Sequence, residues 1–140
     1  MIHDQSVLFE IGQEWAAVKK LCAQSHRQAQ IPGGSFIIET PPESFYNLPF
    51  LLAYGILDQV LTELIDQGTI QLNGKKKKRL LLGDKISASV GVVPWQDYSL
   101  IGSGKTARNE LAHEATLLNR NDCFQFIKAI ETELKAWGVL

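Results

Sequence analysis

The segment Arg108-Asn109-Glu110-Leu111-Ala112-His113 holds the side chains best suited to chemistry. Asn109 and His113 are four residues apart, so on a helix they share a face, about 40° apart around the axis, and the amide can orient the imidazole. Arg108 lies about 140° from His113 on an ideal helix, but its long side chain can curve toward a phosphate held near the helix start. A cationic fork, an amide and a group that titrates near neutral pH are the parts needed to cleave an RNA phosphodiester without metal. Histidine moves the protons, and arginine stabilises the charge that grows on phosphorus. The competing reading pairs Arg108 and His113 with Glu110 or Glu114 on the surface, or uses them to brace a dimer interface.

Gly102-Ser103-Gly104-Lys105-Thr106, just upstream, has the ending of a phosphate-cradling loop. The full pattern is missing: the position five before Gly104 is Ser99, no strand–helix alternation surrounds it, and no apolar strand ends in an Asp to hold magnesium. The stretch is expected to be a flexible turn that starts the next helix, leaving Lys105 available to a phosphate as a point charge. The run Lys75, Lys76, Lys77, Lys78 and Arg79 is a second candidate for RNA phosphates, the other reading being a solvated loop. His3 and His26 have no Asp, Glu or Cys at ligand spacing, so both are read as surface residues and no metal or other cofactor is expected. Trp15, Trp95 and Trp137 are read as core or interface aromatics.

The elements that must position these groups are mostly helical. Leu8, Ile11, Trp15, Val18 and Cys22 recur at steps of three and four, which predicts an amphipathic helix ending before Ile31-Pro32-Gly33-Gly34. Residues 31 to 44 are expected to connect, with Ser35 to Thr40 an extended loop, because its apolar run shows no alternation and Pro41-Pro42 ends it. Leu51, Tyr54, Leu57, Leu61 and Leu64 predict a second helix over about 49 to 66, stopped by Gln67-Gly68. Asn73-Gly74 admits a hairpin turn, but the lysine run lacks strand alternation, so a loop followed by a helix near 79 to 90 is preferred. Val92 to Ser103 is expected to be irregular or one short turn. Lys105 to Leu118 reads as a helix with Leu111, Ala115 and Leu118 on one stripe. Asn119 or Asn121 can cap a last helix whose apolar face is Cys123, Phe126, Ile127, Ile130, Leu134 and Trp137, ended by Gly138.

At 140 residues the chain has the size of one domain, and 45% hydrophobic with 21% charged residues implies a packed core. With 14 basic against 15 acidic residues, bulk charge gives no pull toward nucleic acid or anionic lipid, so any such affinity must be local. No stretch reads as a spanning helix and the first residues lack a leader pattern, so a cytoplasmic protein without membrane contact is expected. Cys22 and Cys123 belong to no ligand cluster and read as buried small hydrophobes.

Arg-Asn-x-x-x-His followed by a short linker and an amphipathic helix resembles the HEPN family, small helical bundles in which an Arg-x(4–6)-His motif marks many metal-independent ribonucleases. The likeness rests on Arg108 to His113 and on the helix after it, about the last 40 residues. It implies an all-α, four- to five-helix HEPN-like bundle over residues 1–140, with Arg108, Asn109 and His113 as catalytic residues. It also implies a homodimer supplying two His and two Arg to one RNA, of the toxin type, with a nucleotidyltransferase-type antitoxin as a conceivable partner. The alternative is a non-catalytic module that binds a protein partner or a second copy of itself.

Overall fold

The computed structural model describes residues 1–24, 27–30, 32, 34, 36–39, 41–74 and 80–140. Helix α1 (Gln5–Ala23) is capped by Asp4, whose carboxylate accepts from the Ser6 amide at 2.8 Å. A short antiparallel hairpin follows, β1 (Arg27–Gln30) against β2 (Phe36–Glu39), with Arg27 opposite Glu39 and Gln30 opposite Phe36. A 3₁₀ turn, Glu43–Tyr46, leads into α2 (Asn47–Asp66), and the remaining helices are α3 (Leu82–Ala88), α4 (Tyr98–Glu114) and α5 (Arg120–Ala136). The five helices make a helical bundle.

Helix α2 is its axis. α1, α3, α4 and α5 all pack on it, and Phe50, Tyr54, Leu57, Val60, Leu61 and Leu64 are completely buried along its length. Burial on several sides accounts for much of its apolar surface, while Leu48, Leu51 and Leu52 stay exposed. The segment Glu43–Asp66, mean hydropathy 1.4, is long and apolar enough to cross a membrane by length and composition, which the sequence reading had not credited to any stretch. In this bundle it serves as the central core helix. Ile11, Trp15 and Val18 face it from α1, and Cys123, Ile127, Ile130 and Leu134 from α5. The stripes predicted for these two helices are the ones buried, with Leu8 and Phe126 packed at their margins. Glu131 ties the two helices across their edge: it accepts from the Trp15 indole at 3.1 Å and pairs with Lys19 at 3.1 Å and Lys135 at 2.8 Å.

Several expectations are corrected. Residues 36–39 are a strand, because the chain folds back on 27–30 and pairs backbone to backbone. Leu51, placed on the buried stripe of α2, is 38% exposed, because it lies on the rim of a shallow cleft between α1 and α2. Cys22 is only partly buried, whereas Cys123 is fully buried. α3 is shorter than the stretch 79 to 90, and the basic run Lys75 to Arg79 lies outside the described residues, as does His26. The largest correction concerns α4. It starts at Tyr98, seven residues before the expected start at Lys105, so Gly102-Ser103-Gly104 is helix interior, and it ends at Glu114, which leaves Leu118 in the linker. Ala115 adopts the left-handed conformation at the C-cap (φ 53°) and is exposed, so it belongs to no buried stripe.

Candidate functional site

Helix α4 presents the motif, and contacts before, along and beyond it hold it in place. Its N-cap is Asp97, accepting from the Leu100 amide at 3.1 Å. Just before it, the Glu133 carboxylate of α5, 1% exposed, accepts from the Gln96 amide at 2.8 and 2.9 Å and from the Asp97 amide at 2.6 Å. One turn in, the buried Tyr54 hydroxyl of α2 donates to the Ile101 carbonyl at 2.9 Å. Beside it Gly104 lets the helix backbone approach α2 and α5 so closely that an added methyl would overlap the Tyr54 hydroxyl and lie 2.8 Å from the Phe126 ring. Beyond the far end, the buried Asn47 amide clamps the linker, accepting from Leu118 N–H at 3.0 Å and donating to its carbonyl at 2.9 Å.

The helical glycine segment cannot act as a phosphate loop. Its amides lie in the helix interior, Thr106 donates to the Gly102 carbonyl at 3.2 Å, and Ser103 donates to the Ser99 carbonyl at 3.1 Å. The three tryptophans are packing residues: Trp15 and Trp137 are buried, and Trp95 meets Trp137 edge-on at 4.7 Å. Trp95 therefore sits at the opposite end of α4 from His113.

Between α3 and α4 runs a cavity of about 540 Å³. From α4 it is lined by Lys105, Arg108, Asn109, Ala112 and His113. Leu81, Gly83, Asp84 and Ser87 form the α3 wall. The three motif residues thus open into one groove together with Lys105. Asn109 and His113 are exposed and Arg108 is half-buried. Among the described residues, the side chains of Lys105, Arg108, Asn109 and His113 make no hydrogen bond or ion pair, so neither Glu110 nor Glu114 neutralises the cations. Arg108 is electrostatically within reach of Tyr54: burial pushes that phenol well above its usual range, and the Arg108 charge pulls it back part of the way. The α3 wall supplies one carboxylate, Asp84, whose Oδ2 accepts from the Leu81 amide at 3.1 Å. Among the described residues no three His, Cys, Asp or Glu side chains gather into a metal-binding group.

Sequence reading found the α4 side of this groove and missed the α3 side, because which helix lies opposite is a tertiary fact. It also missed Glu133 and Asn47, the two buried polar anchors. Glu133 did carry a signal, a carboxylate three residues after Ile130 and four before Trp137, inside the apolar stripe of α5. A charge there requires partners, and the amides at the start of α4 are those partners. No family model, curated protein or solved structure matches the chain.

Proposed function

We propose that this chain is a HEPN-like, metal-independent endoribonuclease, of the toxin type, that cleaves single-stranded RNA through attack of a ribose 2′-OH on the adjacent phosphate. One observation carries the reading: Arg108, Asn109 and His113 open into a single groove with no protein partner among the described residues to occupy them. Unpaired cationic donors beside an exposed imidazole suit a phosphodiester substrate, whose charge rises in the transition state. In the reaction the 2′-oxygen forms the new bond to phosphorus as its proton passes to a base. The 5′-oxygen of the next nucleotide leaves on the opposite side and takes a proton from an acid. One imidazole cannot reach both sides, so the reading includes a homodimer in which two copies of His113 divide these roles and Arg108 stabilises the phosphorane oxygens. Chemical identity of the ends is the test. The products should carry a 2′,3′-cyclic phosphate and a free 5′-OH, and RNA with 2′-deoxy residues throughout should remain uncut in the same tube. Cleavage of that deoxy strand would refute the mechanism.

A second reading, a non-catalytic interaction module, has its own observation. Leu48, Leu51 and Leu52 are 47%, 38% and 42% exposed on α2, beside a shallow apolar cleft lined also by Ala17 and Gly55. A partner such as a nucleotidyltransferase-type antitoxin, or a second copy of the chain, would cover such a face. Leu51→Glu with Leu52→Glu separates the readings. It should abolish association under the module reading, while leaving the groove's chemistry to be judged through His113.

A further inference from the structure

The groove is larger than one phosphate needs, and its cationic groups are not clustered at one level. Along α4, Arg108 is about 4.5 Å and His113 about 12 Å from Lys105, so the level midway between them is about 8 Å away, at 1.5 Å rise per residue. Ala112, the smallest side chain on this face, lies between Arg108 and His113 in both level and azimuth and leaves room between them. Lys105 stands at the head of the groove, close to the same azimuth as Ala112. Its stem lies against Gly83 of α3, where an added methyl would come within 3.3 Å of Nζ and 3.6 Å of Cδ. Gly83 thus makes the room in which the Lys105 chain lies, and among the described residues no acid pairs with its ammonium.

Resting on the ribonuclease reading for the identity of the strand, we infer that the groove holds two consecutive phosphates of single-stranded RNA. The scissile one lies midway between Arg108 and His113, and its neighbour lies at Lys105. The separation of about 8 Å is on the order of one phosphate step of an extended strand. Lys105 is then a positioning residue. It grips a phosphate that does not react, as a point charge on a flexible stem, and sets the register of the strand. The smallest good substrate is therefore a trinucleoside diphosphate; a dinucleoside monophosphate fills only the reacting seat.

Two probes test this. Mixed-sequence pools of dinucleoside monophosphates and trinucleoside diphosphates give kcat and KM. A 2′-O-methyl RNA 8-mer, which cannot be cut by 2′-OH attack, gives Kd as a function of salt. Wild type should prefer the longer substrate by about tenfold, the scale of one hydrogen-bonded charge contact, and the preference should lie in KM. Lys105→Ala should erase the preference by raising KM for the longer substrate, and Lys105→Arg should restore it. For the 8-mer, Lys105→Ala should lower the slope of log Kd against log salt by about 0.7, the single-strand value for one phosphate contact. Ala112→Leu, on an exposed helical position, should weaken both short substrates alike. Equal cleavage of the two lengths by wild type, or an unchanged salt slope in Lys105→Ala, overturns the two-phosphate seat even if RNA is cut. If wild type cuts nothing yet binds the 8-mer with a slope that depends on Lys105, the ribonuclease reading falls and the seat stands.

Discussion

Gly102 and Gly104 lie two residues apart in α4, and replacing each with alanine should change stability in opposite directions. An added methyl at Gly102 meets nothing within 4 Å, so the substitution gains helix propensity of up to about 1 kcal/mol. At Gly104 the same gain is offset twice. The methyl would overlap the Tyr54 hydroxyl and crowd Phe126 at 2.8 Å, and overpacking of this kind costs about 1–3 kcal/mol. If Tyr54 swings away, its 2.9 Å bond to the Ile101 carbonyl is lost in a dry site, for a further loss of about 1–3 kcal/mol. The net for Gly104→Ala is a destabilisation of about 1–5 kcal/mol, a fall in Tm of roughly 3 °C or more for a chain of this size. Urea melts followed by circular dichroism measure both variants. Tyr54→Phe in the Gly104→Ala background should recover part of the loss, since it removes the overlapping oxygen. Loss of stability in Gly102→Ala would refute the reasoning, because it would mean that the glycine segment is a turn and that α4 starts where the sequence alone had placed it.

Other consequences follow from the packing and the charges. Ile130→Ala, at a fully buried position of α5, should cost about 2–5 kcal/mol in the same melts, and a change within about 0.5 kcal/mol would mean that face is not core. Burial raises the Glu131 carboxyl, but hydrogen bonds from Lys135, Trp15 and Lys19 outweigh it and hold its pKa at about 2, below the ordinary 4.5. A carboxylate depressed on folding stabilises the protein above its unfolded pKa, and the contribution is lost as pH falls from about 4.5 toward 2. Glu131→Gln should therefore flatten the acid limb of stability in that window, as read by melts at fixed temperature. Sedimentation at the concentration used for RNA cleavage should show a dimer; a monomer there would remove the two-histidine mechanism.

How much of this was legible in the sequence depended on whether local pattern or tertiary packing set each feature. α1, α2 and α5 were readable because Ile11-Trp15-Val18, Tyr54-Leu57-Leu61-Leu64 and Ile127-Ile130-Leu134 each keep the helical period and each is buried. Asn119 was readable as a cap, and it accepts from the Asp122 amide at 2.8 Å. The start of α4 was not, because two glycines and a serine oppose helix by propensity. There the demand of Tyr54 and Phe126 for a residue without a side chain at 104 prevails, with Asp97 capping the first turn and Glu133 holding the two amides just before it. The hairpin was hidden for a different reason: strands of four residues are too short for alternation to show. For the site, the spacing of Arg108, Asn109 and His113 put them on one helix, as they are in α4. That they share a groove with Lys105, walled by α3, follows only from the way α3 and α4 pack.

The central claim is that this groove cleaves RNA, and the rate of cleavage of single-stranded RNA in EDTA by wild type and three single variants tests it most directly. His113→Ala should show no activity while melting like wild type, because the proposed mechanism gives the proton transfer to this imidazole. Arg108→Ala should fall by about 10²–10³, the typical loss on removing one donor to a charge-bearing oxygen. Asn109→Ala should fall least, since an amide moves no proton itself. Wild-type cleavage by His113→Ala would contradict the account, because the activity would then belong to something other than this groove.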